Sequence, residues 1–282
     1  MPARTDLAID INETLSGGTE GIAESREQRG DIRITHIKIT SDEGSEKLGK
    51  PQGNYITAEF PPLFEIEDFS GLKAVVKDML LSLLPEKAES VMVVGLGNTE
   101  ITSDAIGPVT ARGILATRHI AGQFAKSIGL ERLRSIAVIS PGVLGKTGIE
   151  TTEIISAAVK TVKPDAVIAV DALCSRSVTR LYKTVQLCDS GISPGSGVKN
   201  SRRELSQKTL GVPVIALGVP TVVEADTLAY ELTGSEVQSS TDLLVTPKEA
   251  DLLTDRISGI LSAALNLALQ PDIDPDIILG LV

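Results

Sequence analysis

The sequence predicts an α/β fold: a mostly parallel or mixed sheet with helices on both faces, and an appended strand and loop region at the N-terminus. Three observations carry this. Short continuous apolar runs recur at 91–94, 136–139, 166–170 and 212–217, as strands buried on both faces require. Helix-length segments such as Ile149 to Val162 separate them, so strands and helices alternate. Residues 1 to 60, by contrast, hold no sustained helical period and read as short strands and loops.

Along the chain, Ile32 to Thr40 alternates apolar and polar residues, which places His36 on the exposed side of a strand. The polar stretch Ser41 to Lys50 reads as loop. Leu72 to Leu84 suits an amphipathic helix, ended by Pro85. Val91 to Val94, followed by Gly95, is the first buried strand. Pro108 to Phe124 is the helix after it, because proline in a first turn forfeits no hydrogen bond, and His119 falls on that helix. Thr179 to Leu187 alternates like a half-exposed strand, and Asp189 to Val198 is a glycine-rich candidate functional loop. Pro247 to Leu269 is a long helix with apolar residues at Leu252, Leu253, Ile257, Ile260, Leu261 and Leu265, before an irregular tail from Pro271. The expected organisation is a single domain over 1–282, with an appended region at 7–70 and the α/β core at 71–270.

The bulk numbers narrow the function. A chain of 282 residues with 42% hydrophobic and 23% charged residues can bury a full core. A net charge of −10 repels phosphate backbones, so direct nucleic-acid binding is not expected, whereas a neutral or basic polypeptide is tolerated. No apolar run reaches the roughly 18 to 20 residues that cross a bilayer, and the first residues lack the order of a signal peptide. The expected location is the cytoplasm. Cys174 and Cys188 stand in no Cys-x-x-Cys spacing, and His36 and His119 are the only histidines, which gives no support to a zinc site or a disulfide framework.

Two acids at predicted strand exits stand out: Asp104, after Gly95-Leu-Gly-Asn98, and Asp171, which ends Ala166-Val-Ile-Ala-Val170. The carboxyl ends of neighbouring parallel strands face one crevice, so these acids can meet there. Taken singly, Asp104 also reads as a helix N-cap and Asp171 as a turn residue. As a pair, one can hold a proton while the other polarises water, the division of labour that amide hydrolysis needs. Asn98 either receives a substrate backbone or closes a turn on its own. Ser140 to Thr147 ends in Gly-Lys-Thr but has Ser140 where a phosphate loop needs glycine, and Pro141 removes an N–H from a loop built to present them. A nucleotide-binding protein is therefore the weaker alternative, with Lys146 beside a groove or in solvent. Gly95-Leu-Gly-Asn98 lacks the third glycine of a dinucleotide fingerprint, its place being taken by Glu100.

These motifs resemble those of the germination proteases of spore-forming bacteria. The resembling segments are Arg4 to Ala8, Val94 to Asn98 with Asp104 to Pro108, and Ser140 to Gly145 with Gly148 to Thr151. Val170 to Arg176, Ile192 to Val198, Gly218 to Val223 and Val245 to Glu249 complete them, in order over nearly the whole chain. The resemblance implies an endopeptidase that degrades small acid-soluble spore proteins at germination, acting in the forespore or spore core. It also implies a self-processing zymogen, a homo-oligomer (a tetramer by resemblance), and a core related to hydrogenase-maturation proteases. Its two proposed catalytic aspartates fall on Asp104 and Asp171. Self-processing is expected between Asp6 and Leu7, making residues 1–6 a propeptide shorter than the family leads one to expect. Arg176, Asn98, Gly195 and Gly197 are weaker candidates for substrate contact. The working expectation is an aspartic-type enzyme needing no metal and no cofactor. A metal-dependent peptidase of hydrogenase-maturation type is the alternative, although no histidine here stands in a matching motif.

Overall fold

Nine strands form one mixed sheet in the computed structural model of the chain, which describes residues 5–15, 20–120, 133–193, 204–235 and 242–273. They are β1 (Ile22–Arg29), β2 (Ile32–Ile39), β3 (Gly53–Glu59), β4 (Ser90–Gly95), β5 (Ser135–Ile139), β6 (Ala166–Ser175), β7 (Thr184–Cys188), β8 (Val214–Glu224) and β9 (Leu244–Val245). The spatial order is β1-β2-β3-β7-β8-β6-β4-β5, with β9 paired to β8. The pairs β4/β5, β4/β6 and β6/β8 are parallel. Every other pair is antiparallel. The N-terminal strands thus continue the same sheet through β3 and β7.

The chain leaves β4 for β5 on one side and returns to β6 on the other, which is the strand-order reversal where α/β crevices open. Alternation along β4 and β6 divides the core accordingly. Val91, Val93, Ile168 and Val170 pack on one face with the helices Ser70–Leu83 and Ala250–Leu269. Met92, Val94, Val167 and Ala169 pack on the other with Ile155 and Val159 of the helix Thr151–Val162. Further along that second face, Leu7 and Ile9 of the N-terminal segment join Ile37, Ile39, Tyr55 and Leu173 in a separate cluster.

Several elements depart from the sequence expectations for identifiable reasons. The segment expected as a loop at Ser41 to Lys50 contains a helix, Asp42–Leu48, with Ser41 accepting from Gly44 N and Gly49 closing it in the left-handed region. The helix expected over Pro108 to Phe124 spans Ile106–Arg112, with Pro108 still in its first turn. It ends where the buried Asn266 side chain accepts from Leu115 N and donates to Gly113 O, taking over the main-chain groups another turn would use. His119 accordingly sits in an exposed turn; residues 121–132 lie outside the described residues. The segment read as a half-exposed strand has a 3-10 turn at Val178–Arg180, then β7, which is buried throughout because β3 and β8 flank it. The Ala250–Leu269 helix is long and apolar enough to cross a bilayer, against the expectation that no run is, but two thirds of it is buried within the fold.

Candidate active site

The crevice is assembled by the ends of β4 and β6. Leu96 N donates to Val170 O at 2.8 Å, so β4 pairs with β6 up to the residue before Asp171. The next residue, Gly97, has φ +117, and a β-carbon there would collide with the Asp104 carbonyl and come within 3.1 Å of Asp104 Oδ1. Only glycine lets the turn carrying Asp104 fold back onto the strand exit. Gly107 serves a second close approach, since a β-carbon on it would strike both Leu96 O and Val170 O. The helix after Asp104 therefore lies directly on the β4/β6 seam.

Asp104 ends a 3-10 turn, Thr102–Asp104, that packs against both β6 and β8. Thr221 Oγ1 on β8 donates to Ser103 O at 2.6 Å, and Thr254 Oγ1 on the long helix donates to Thr102 O at 3.3 Å. The residue capping the following helix is Ala105, without a side-chain bond, so Asp104 does not occupy the cap position. Asp171 is 6% exposed, on the same face of β6 as Ala169 and Leu173, and its Oδ1 accepts from Ala172 N at 2.9 Å. The segments bearing the two acids thus share one end of the sheet.

Asp171 lines a cavity of about 300 Å³ together with Asp6, Lys50, Tyr55, Gln186, Cys188 and Glu204. Burial pushes the Cys188 thiol and the Tyr55 phenol above their ordinary pKa values, which marks that wall as a poor medium for added negative charge. A segment of the chain itself lies here. Asp6 N donates to Cys174 O at 2.9 Å, and Cys174 N donates to Asp6 Oδ2 at 2.8 Å. Gln186 holds the other side, with Nε2 donating to Asp6 O at 3.2 Å and Oε1 accepting from Ala8 N at 2.8 Å. Leu7 between them is fully buried.

The remaining candidates are placed as follows. Asn98 Oδ1 accepts from Glu100 N at 3.1 Å, a turn closed on its own backbone. Arg176 donates its main-chain N–H to Asp10 Oδ2 at 2.7 Å. Lys146, in the exposed helical turn Leu144–Thr147, pairs with Glu100 across the mouths of β4 and β5. Gly195 and Gly197 lie outside the described residues. Among the described residues, no group of three or more His, Cys, Asp and Glu side chains is placed to hold a metal ion. Sequence reasoning missed Gln186 and Asp10. Gln186 showed only as a polar residue alternating within a strand, and nothing local marked what it would hold.

An α/β chain with a main-chain segment lying in a carboxylate-lined cavity has the form of a peptidase, and comparison with known proteins shows that class. A peptidase family model described as germination protease matches residues 5–234. The germination protease of Clostridium acetobutylicum is 38% identical over 96% of each chain. That of Caldanaerobacter subterraneus subsp. tengcongensis is 40% identical over 95% of this chain and 94% of its own. The chain belongs to the germination protease family. Among solved structures, a [NiFe] hydrogenase maturation protease HycI from Thermococcus kodakarensis KOD1 overlaps 68% of this chain and 98% of its own, at 17% identity and a TM-score of 0.38.

Proposed function

We propose that this peptidase is an endopeptidase that degrades small acid-soluble spore proteins when germination starts, in the spore core, and that it is made as a zymogen that cuts itself between Asp6 and Leu7. Asp104 and Asp171 act as the aspartic-type pair: one carboxylate takes a proton from water as its oxygen attacks the peptide carbon, and the other, protonated, gives a proton to the leaving nitrogen. The observation that carries this reading is the seating of Thr5 and Asp6 along the cavity that Asp171 lines, with Asp6 and Ala8 held by the Cys174 main chain on one side and the Gln186 side chain on the other. Residues 1–6 are then the propeptide, and the place of Thr5 and Asp6 is the one a substrate takes once they leave. The active form is a homo-oligomer, a tetramer by family resemblance.

The deciding experiment mixes the purified protein with a small acid-soluble spore protein and maps the cuts by mass spectrometry, with and without chelator. Cleavage after acidic residues, in the presence of chelator, is the expected result. An intact substrate under all conditions would sink the proposal.

A further inference from the structure

We infer that Gln186 is a catalytic residue that polarises the carbonyl of the peptide bond being cut, an assignment that rests on the self-cleavage reading above. Gln186 is 6% exposed, and its amide spans two main-chain groups, the Asp6 carbonyl at 3.2 Å through Nε2 and the Ala8 N–H at 2.8 Å through Oε1. The Asp6 carbonyl belongs to the Asp6–Leu7 bond itself. Gln186 therefore touches the atom that gains charge when water adds.

The sheet register puts this amide opposite the acid. Gln186 on β7 pairs with Gly218 on β8, and Gly218 pairs with Asp171 on β6, so the three side-chain positions form one row on one face. With strands about 4.8 Å apart, the outer two backbones are about 10 Å from each other. Asp171, Gln186, Gly218 and Asp6 all line one cavity, with the Leu173 side chain lying over Gly218 between the acid and the amide.

The step balances without a further reactant. The water oxygen bonds to the Asp6 carbonyl carbon, the carbonyl π electrons move to oxygen, and the proton of water passes to a carboxylate. The Gln186 N–H then faces an oxyanion and donates more strongly to it than to the neutral carbonyl. Collapse re-forms the C=O as the C–N bond to Leu7 breaks and nitrogen takes its proton. Gln186 gives up no proton. With its Oε1 held by the Ala8 N–H of the seated segment, the Nε2 donor already faces the Asp6 carbonyl as the charge develops. Because Nε2 reads a main-chain carbonyl, the same donor serves the carbonyl of any peptide seated where Asp6 lies.

The alternative is a tether that merely anchors the N-terminal segment, and Gln186→Glu separates the two roles. The carboxylate still accepts from Ala8 N but offers no donor to the carbonyl. The full-length chain is followed by intact mass for loss of residues 1–6, and by kcat and KM on a synthetic peptide of residues 2–11. The expected result is a fall of about 10²- to 10³-fold in kcat and in the self-cleavage rate, with KM within about threefold. Gln186→Met, which has no donor and no charge, gives the same kcat loss and decides the matter if Gln186→Glu unfolds at a lower temperature. Wild-type kcat in either folded variant, or a defect confined to KM, would overturn the assignment. If wild type cuts and Asp171→Asn does not while Gln186→Glu keeps full rate, the role of Gln186 alone is lost. If wild type leaves Asp6–Leu7 uncut in both assays, the self-cleavage reading fails and the assignment falls with it.

Discussion

Asp10 and Arg180 form a buried ion pair, Oδ1 to Nη1 at 2.5 Å, in which the Asp10 side chain is fully enclosed and that of Arg180 is 11% exposed. Arg180 also reaches Glu13 at 2.7 Å and Glu59 at 3.2 Å. The second Asp10 oxygen accepts from Thr5 Oγ1, Arg176 N and Ser175 Oγ. One carboxylate thus ties the N-terminal segment to the end of the strand that carries Asp171. Burial opposes the charge on Arg180, but the Glu13 hydrogen bond and the Asp10, Glu13 and Glu59 charges outweigh it and raise its pKa.

Asp10→Ala should therefore be among the most damaging substitutions in the chain. It leaves a largely buried guanidinium facing fewer acids and strips the Arg176 N–H of its acceptor, for a loss of about 3–5 kcal/mol. Urea unfolding measures this directly. Asp10→Asn keeps the shape and one acceptor and loses less. A loss below about 1 kcal/mol for the alanine variant would mean that water replaces the carboxylate.

Asp104→Asn and Asp171→Asn should each leave the fold intact and stop cleavage. Asparagine preserves volume, and at 171 its carbonyl can still accept from Ala172 N. Loss of a general acid or base lowers the rate by about 10²- to 10⁴-fold. Intact-mass measurement of self-processing, beside an unfolding curve, reads both quantities. Substantial activity in either variant would remove that residue from the mechanism.

The parallel core was legible because strands buried on both faces cannot hide their apolar runs, so Val91 to Val94 and Ala166 to Val170 declared themselves. That the segments bearing Asp104 and Asp171 lie at one end of the sheet was legible because strand exits in parallel pairing share that end. What escaped was set by tertiary contacts. The helix after Asp104 stops at Arg112 because Asn266, more than 150 residues on, bonds Gly113 and Leu115. The helix Asp42–Leu48 buries little beyond Leu48 and Gly44, so it left no periodic stripe to read. Gln186 acquires its meaning from Asp6 and Ala8, which only the fold brings alongside.

Exhaustive chelation should leave the rate unchanged within about twofold, since the proposed pair moves protons and needs no Lewis acid. The check is dialysis against EDTA followed by assay with and without added zinc, manganese or nickel. Loss on dialysis with recovery on adding one metal would replace the aspartic-type mechanism with a metal-assisted one on the same acids.

Alkaline pH should destabilise the folded chain, beginning near the ordinary thiol pKa. Burial raises Cys188, Tyr55 and Tyr182 in the folded state. Their unfolded values are about 8.5 for cysteine and about 10 for tyrosine. A group raised on folding contributes stability that is complete below its unfolded pKa and is lost as pH climbs toward the folded one. Above about pH 8.5 the unfolded chain holds fewer protons than the folded chain, so unfolding free energy falls by up to about 1.4 kcal/mol per pH unit for each such group. Urea midpoints between pH 7.5 and 11 should show one decline setting in near 8.5 and a steeper one near 10. Cys188→Ala makes the first shallower without touching the second. If that variant declines in parallel with wild type from pH 8.5, the buried thiol is not the source.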